Sequence, residues 1–461
     1  MRPRSSLVFD VAVITAAVAL PERRAPSQTP ATENTGARPN VVVIVTDDQR
    51  ADTLDVMPKT RAFLGDGGIT FPQSFVATPL CCPSRASIMT GRYAHNHGVR
   101  NNRLTPELDH TTTMQAALKT AGYQTAISGK FLLYWDLSEP PPNFDHWAIV
   151  NETDYYGDYF SVDGERQQID EYSTDYIAAK ALEFLDGFEA DDTRPFFLYI
   201  ATQAPHQPFI PEPDYESAPV PEWQPSPSVH EDDRSDKPSV VSVHRHGEAQ
   251  GREERDAQLR TLYSVDDLVA GVAAKLAALG EDNDTLVILT SDNGYFWGEH
   301  GQKSKSLPYT EGIQVPLLLR FPGRAAPGTV DTRWASVADV APTVIQAAGT
   351  APVGIMDGTS LLAPSTRTEH YVEYSRDPGF RYPPWASLRD QSSQYIEYYE
   401  DDGSIAFREY YDLQADPYEM DNLLADADPA NDPDVTVRSA RLAQLATCAG
   451  RAENGAPNPC P

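Results

Sequence analysis

The sequence predicts an α/β protein: a mostly parallel sheet with helices on both faces. Three stretches carry that expectation. PNVVVIVTDDQR holds five consecutive β-branched residues, Val41 to Val45, as in a strand buried on both sides of a parallel sheet. DTLVILTSDNG has the same character and ends in Asp292 and Asn293. Just before it, QLRTLYSVDDLVAGVAAKLAALG places Leu259, Leu262, Val265, Val269, Val272, Leu276 and Leu279 at helical spacing, with Gly280 as a natural C-terminal cap. Alternation of buried strands with amphipathic helices favours a parallel sheet sandwiched between helical layers.

In chain order, residues 1–38 stand apart. Arg2 and Arg4 precede the apolar run VAVITAAVAL and an Ala17-Val18-Ala19 site, the pattern of a secretory leader. PERRAPSQTPATENTGARP then reads as a flexible linker. Ten apolar residues cannot cross a bilayer, and no longer run occurs downstream, so export rather than membrane insertion is expected. TTMQAALKTAG is helix-like, YQTAIS is a strand running to Gly129 and Lys130, and PFFLYIATQAPH is a strand ending near His206. From His206 to Arg255 the chain is rich in Pro, Asp and Ser without periodicity, which implies a substrate-facing loop or a disordered one. Beyond Gly349, HYVEY, WASLRD, SQYIEYY and AFREYYD alternate between turns and predict a small antiparallel sheet. The expected organisation is a leader and linker over 1–38, a main α/β domain over 39–350 and a C-terminal subdomain over 351–461.

The 461 residues carry a formal charge of −30, which excludes general nucleic-acid binding. An anionic substrate therefore needs positive charge concentrated at its site. Four cysteines are present. Cys81 and Cys82 are adjacent, too close in the chain for an ordinary disulfide with each other. Cys448 and Cys460 flank a polar tail, GRAENGAPNP, and are expected to staple it in an oxidising compartment.

Asp47, Asp48, Asp292 and Asn293 form an all-oxygen set at matching ends of two buried strands. Such oxygens suit a hard dication, Ca²⁺ or Mg²⁺, and flexible carboxylate coordination favours calcium; the alternative is that each pair caps a turn. Pro83 is a good first helical residue for SRASIMTGR, which would put Cys81 at a helix N-terminus with an acidic, reactive thiol. Arg85 adds charge on the same turn, and Cys82 suits a buried apolar position.

CCPSR followed by TGR resembles the C-x-P-S-R signature of type I sulfatases, and supporting motifs occur in the family's order: VTDDQR, SGK at Lys130, APH at His206, SDNG at Asp292, and Lys305 in GQKSKSLPYTEGIQVPL. DVAPTVIQAAG and YYDLQADPYEMDNL extend the resemblance over roughly residues 39–424. CCPSRASIMTGRYAHNHGVRNN, SGKFLLYW, TLYSVDDLV and TSDNGY look most like the N-acetylglucosamine-6-sulfatases. The resemblance implies an alkaline-phosphatase-like three-layer α/β/α sandwich and hydrolysis of sulfate monoesters. It implies that Cys81 is converted to formylglycine (3-oxoalanine) by a formylglycine-generating enzyme, and that Cys81 joins Asp47, Asp48, Asp292 and Asn293 around the cation. A hydrated aldehyde at position 81 would attack sulfur. Lys130 and Lys305 would bind the sulfate oxygens, His206 would protonate the leaving alcohol, and Arg85 would hold the nucleophile and cation ligands in register. His97, and with it His95, Asn101 and Asn102, are candidates for contacting sugar or sulfate. Trp297 and His300 line the pocket or pack beneath it.

One departure is Leu132, where many arylsulfatases carry a histidine two positions after the lysine. The rival functions are an arylsulfatase, a phosphonate or phosphate monoester hydrolase, and a binding protein that keeps the fold without catalysis. Sequons stand at Asn151 and Asn283.

Overall fold

A computed structural model describes residues 38–151, 154–426 and 428–461. The leader and linker lie outside the described residues, apart from Arg38. The strand of the VVVIV motif, β1 (Asn40–Thr46), is buried along its whole length and sits inside a ten-stranded sheet. The sheet's other strands are β2 (Ile69–Thr70), β3 (Gln124–Lys130), β4 (His146–Val150), β5 (Tyr159–Val162), β6 (Glu165–Gln168), β7 (Phe196–Ala201), β8 (Thr285–Ser291), β9 (Leu317–Arg320) and β10 (Thr329–Val330). Their spatial order is β10-β2-β9-β8-β1-β7-β3-β4-β5-β6.

The five central strands, β8 to β4, run parallel. The flanks do not: β9 pairs antiparallel with β8, and β5 and β6 fold back antiparallel beyond β4. The sheet is thus parallel where it is buried on both faces and mixed at its margins. Short outer strands can be joined by tight turns, whereas parallel neighbours need long crossovers.

Alternation along β1 divides two cores. Val41, Val43 and Val45 face one hydrophobic layer, and Val42 and Ile44 face the other. Helices α1 (Cys81–Thr90), α2 (Met114–Thr120) and α5 (Val340–Ala347) contribute to the first layer. Helices α3 (Ser173–Phe188) and α4 (Glu248–Leu279) cover the second. The apolar stripe on α4 is where its spacing predicts, and Gly280 ends the helix at φ 85°, a left-handed cap that glycine adopts without a Cβ clash.

The segment from 206 to 255 is ordered. Short helical turns at Pro213–Tyr215, Pro227–His230 and Ser239–Ser242 lead into α4, which already begins at Glu248. Trp223 and Val229 pack with Tyr295 and Trp297. Buried Lys237 reaches the Tyr411 hydroxyl at 3.0 Å and the Glu419 carbonyl at 2.8 Å. This segment straps the main sheet to the C-terminal part of the chain.

The expected C-terminal sheet is present as β11 (Glu369–Tyr374), β12 (Trp385–Asp390), β13 (Ser393–Tyr399) and β14 (Ile405–Asp412), all antiparallel in chain order. Its first strand is held to the main body where Glu373 N–H donates to the Ala77 carbonyl at 3.0 Å. Helix α6 (Thr436–Leu445) comes next, and Cys448 is disulfide-bonded to Cys460. Among the described residues no helix is long and apolar enough to cross a membrane.

Candidate active site

Sheet register brings the acidic residues together. β1 and β8 pair in parallel with Thr46 opposite Ser291, so Asp47 and Asp292 leave the sheet side by side. Asp292 N–H donates to the Thr46 carbonyl at 3.1 Å, and Asp48 N–H donates to Asp292 Oδ1 at 3.2 Å. Asp48 takes a left-handed backbone, φ 66°, a conformation Asp tolerates better than most residues. On the other side, β3 pairs with β7 with Gly129 opposite Ala201. Lys130 therefore ends its strand at the same edge, and His206 lies five residues after β7. The C-terminal ends of parallel strands are where open α/β sheets build their sites.

Cys81 opens α1, two residues earlier than Pro83 would suggest, with Leu80 as the N-cap at φ −151°. A proline in the first turn is tolerated because its missing N–H would have no intrahelical acceptor. Asn102 accepts a hydrogen bond from Cys82 N–H at 3.0 Å. The whole helix is buried, and its first turn faces the acidic cluster.

The charges interlock. Arg85 Nε donates to Asp292 Oδ2 at 2.8 Å, its Nη2 donates to Asp47 Oδ2 at 3.3 Å and its Nη1 to the Lys130 carbonyl at 3.1 Å. Lys130 Nζ pairs with Asp47, and Lys305 Nζ pairs with Asp48 and lies 2.9 Å from Cys81 Sγ. His206 Nε2 stands 3.7 Å from Asp48 Oδ2, and its Nδ1 meets the Gln207 carbonyl at 2.7 Å. Three buried carboxyls thus face three buried cations. Burial raises the carboxyl of Asp48. It also works to raise Asp47, but the cations Lys130, Arg85 and Lys305 prevail and hold that group below its ordinary range. Burial and Lys305 push His206 down to about 3, so the imidazole is neutral.

The thiol of Cys81 is not acidic. Burial pushes it up, and although Lys305 works to lower it, Asp47 adds to the rise. The helix terminus is outweighed by desolvation. Burial likewise pushes Cys82 up to about 11; its sulfur accepts from Leu133 N–H at 3.2 Å and packs in the core.

The donor set fits a hard dication. Asp47, Asp48, Cys81 and His206 offer ligand atoms within 4.8 Å of one another, and Asp292 is bonded into the same group. Asn293 turns its Nδ2 to Asp48 at 2.6 Å and leaves its buried Oδ1 with no partner. That oxygen is oriented by nothing else in the protein, and an amide oxygen beside carboxylates is a ligand of the kind such ions take.

Other candidates lie elsewhere. His97 is buried, its Nδ1 accepts from Val99 N–H and its Nε2 meets Ser87 Oγ, both at 3.1 Å. With both ring nitrogens used, it backs α1 rather than meeting a substrate. His95 bonds Glu373 and the Cys448 carbonyl. Asn101 reaches the Arg376 carbonyl at 3.3 Å and stays at the rim. Trp297 is buried, with Arg50 over its ring at 3.9 Å, and His300 is bonded to Glu231; both are interior.

Two positioning residues carried no sequence signal. Tyr155 donates to the His206 carbonyl at 2.7 Å. Trp385, from the C-terminal sheet, donates to the Ser306 carbonyl at 3.0 Å, beside Lys305. Ser304 and Ser306, flanking that lysine, both hold left-handed backbones, so the loop is constrained from outside.

Residues 39–350 match the family description "Sulfatase", and residues 298–443 match "N-sulphoglucosamine sulphohydrolase, C-terminal". The chain belongs to the sulfatase family. The sulfatase is 32% identical over 480 residues to the Homo sapiens protein described as N-acetylglucosamine-6-sulfatase, covering 90% of this chain and 85% of the relative. It is also similar to a solved structure described as bound to its substrate D-glucosamine-2-N,6-O-disulfate, with TM-score 0.71, 26% identity and coverage of 89% of this chain and 97% of that one. The phosphonate monoester hydrolase of Agrobacterium radiobacter shares the fold, with TM-score 0.71 at 22% identity over 88% of this chain and 94% of that one. The architecture is therefore the alkaline-phosphatase-like sandwich with its small C-terminal sheet, and the sulfatase is a sulfuric ester hydrolase whose acidic cluster suits a divalent metal.

Proposed function

We propose that this sulfatase removes the 6-O-sulfate of N-acetylglucosamine-type sugars with a formylglycine made from Cys81. The observation that carries the reading is the setting of residue 81: its side chain meets Lys305 and Asp47 at the start of a buried helix. The similarity to N-acetylglucosamine-6-sulfatase over 90% of the chain supports the sugar.

Sγ of the unmodified cysteine stands in for an oxygen of the hydrated aldehyde, which supplies the nucleophile for sulfur. Asp47, Asp48, Asp292 and Asn293, with residue 81 adjoining, would hold a calcium ion, which would supply electrostatic stabilisation of that nucleophile and of the sulfate oxygens. Lys130 and Lys305 hold the sulfate and offset charge that grows on it. Arg85 ties Asp47, Asp292 and the Lys130 backbone into one frame, so the helix bearing residue 81 cannot slide relative to the sheet. His206 lies at the mouth. Its Nδ1 donates to the Gln207 carbonyl, so Nε2 carries a proton only in the imidazolium form; an anionic ester in the site supplies the counter-charge that form needs. From Nε2 the proton passes to the departing sugar oxygen.

Export is inferred from the leader pattern and from the disulfide, which belongs to an oxidising compartment. Maturation then requires a formylglycine-generating enzyme in the same host. The catalytic part spans 39–350, with 351–461 as the subdomain that braces the Lys305 loop.

The test is steady-state hydrolysis of N-acetylglucosamine-6-sulfate, nitrophenyl sulfate and a phosphonate monoester by protein whose residue 81 peptide has been weighed by mass spectrometry. Sulfate release from the sugar with the highest kcat/KM supports the reading. Converted protein that cleaves only the aryl sulfate or the phosphonate overturns it.

A further inference from the structure

Away from the catalytic cluster, the seam between the main sheet and the C-terminal sheet is crowded with buried carboxyls. Glu299 pairs with Arg50 at 2.6 Å, Glu231 with Lys237 at 3.2 Å, and Glu419 with Arg389 at 3.3 Å. Glu409 has no ion pair among the described residues but accepts from the hydroxyls of Tyr309, Tyr398 and Tyr411, each at 2.9 Å. Glu311 has no ion pair among the described residues, and its Oε2 is buried with no hydrogen-bond partner. Of these five carboxyls, Glu311 and Glu409 are the two without an ion pair among the described residues. An ionised carboxylate is costly to bury unpaired, and a dication bound by Glu311 would offset that cost.

The seam also holds a histidine prepared to coordinate. His300 is fully buried. Its Nδ1 meets Glu231 Oε2 at 2.8 Å, a contact that, with the proton on Nδ1, leaves the Nε2 lone pair for a ligand. Nε2 is buried and has no partner. A carboxylate orienting one ring nitrogen while the other is left open is the arrangement that surrounds metal-bound histidines. A ring nitrogen of His300, a carboxylate oxygen of Glu311 and one of Glu419 lie within 4.8 Å of one another. Glu419 Oε2 is steadied by the backbone N–H and hydroxyl of Thr310, both at 2.9 Å. His300 and Glu419 both hold left-handed backbones, φ 53° and 55°, which the surrounding contacts must maintain.

We propose that His300, Glu311 and Glu419 form a second metal site, one that takes a zinc-like transition dication and clasps the C-terminal subdomain to the main sheet. An imidazole nitrogen with two carboxylates suits zinc, whereas the all-oxygen set at Asp47, Asp48, Asp292 and Asn293 suits a harder ion. Ligand atoms about 2.1 Å from zinc lie roughly 3.4 Å apart in a tetrahedron. The triangle therefore closes by a shift on the order of 1 Å, within the reach of glutamate torsions. A cleft of about 230 Å³ lined by Arg50, Thr310, Glu311, Gln314, Pro417 and Tyr418 adjoins the cluster. It offers an entry path and room for a water as fourth ligand, and none of the proposed catalytic side chains lines it.

The site does not depend on the substrate reading, and its test needs no turnover. Full-length protein is loaded with calcium, stripped of transition metals with a chelator that spares calcium, and titrated with Zn²⁺ by calorimetry and with Co²⁺ by absorption. Wild type should take up one zinc per chain and give the intense visible bands of four-coordinate cobalt. Glu311→Gln should weaken zinc at least tenfold, and adding Glu419→Gln should abolish uptake. Asp48→Asn, in the catalytic cluster, should keep it. Zinc should raise the Tm of wild type and leave that of Glu311→Gln unchanged. Uptake lost in Asp48→Asn but kept in Glu311→Gln would place the metal at the catalytic cluster and overturn the proposal, as would no uptake by wild type. Should the Glu311→Gln chain fail to fold, the wild-type cobalt spectrum decides: weak octahedral bands refute the site.

Discussion

Cys81 and Cys82 share one helical turn and the same depth of burial, yet their neighbours set them apart. Lys305 Nζ and Asp47 Oδ1 lie 2.9 Å and 3.7 Å from the sulfur of Cys81. The sulfur of Cys82 meets a backbone N–H and apolar side chains. Cys81→Ala should abolish sulfate release without unfolding the chain. Cys82→Ala should keep most of kcat and lose about 1–2 kcal/mol of stability from the small cavity; equal loss of activity in two folded variants, read by turnover and chemical denaturation, would reverse the assignment. At this scale, the resemblance to type I sulfatases made Arg85, Lys130, His206 and Lys305 legible as a group, and the fold brings them together. Tyr155 and Trp385 were invisible because each acts through a backbone carbonyl far away in sequence. His97 misled for a related reason: a histidine beside the nucleophile motif cannot be told from a donor until both ring nitrogens are seen to be occupied. The acidity expected of Cys81 failed on magnitude, since a helix terminus contributes less than full burial costs a thiolate.

At the scale of elements, four of the five strands of the parallel centre were marked in the sequence, because strands buried on both faces leave little choice of residue; β4, which begins with an exposed His146 and a half-buried Trp147, was missed. The flanking strands Ile69–Thr70 and Thr329–Val330 have two residues each, too short to show any period, so that mixed margin was illegible. Strand β3 shows how close packing positions Lys130. Gly129 has φ 105°, and a Cβ built there would lie 1.9 Å from the Ala201 carbonyl oxygen. That is backbone, which cannot rotate away. Gly129→Ala must therefore push β3 from β7 just before Lys130, costing on the order of 1–3 kcal/mol from strain and overpacking. The expected result is a lower Tm and a fall in kcat of tenfold or more, since Lys130 would move relative to Asp47. A variant with unchanged Tm and kcat would show that the strand pair gives way freely.

For the whole molecule, the formal charge of −30 and the buried cations of the site act on the same substrate in opposite senses. Arg85, Lys130 and Lys305 face Asp47, Asp48 and Asp292 at close range, so the charged side chains of the site nearly cancel one another beyond a few ångströms. What an approaching sulfate ester meets first is the acidic exterior. That long-range repulsion is screened over about 10 Å at 0.1 M salt and about 30 Å at 0.01 M. Raising NaCl from 0.01 M to 0.15 M should therefore increase kcat/KM for a sulfated monosaccharide, by roughly two- to fivefold if association contributes to the rate. The gain should appear in KM while kcat holds, because ions that screen the exterior do not penetrate the buried cluster. The opposite slope, with kcat/KM falling as salt rises, would mean that a cationic mouth outweighs the surface and captures the substrate from a distance. Initial rates at fixed metal concentration across that salt range decide between the two fields.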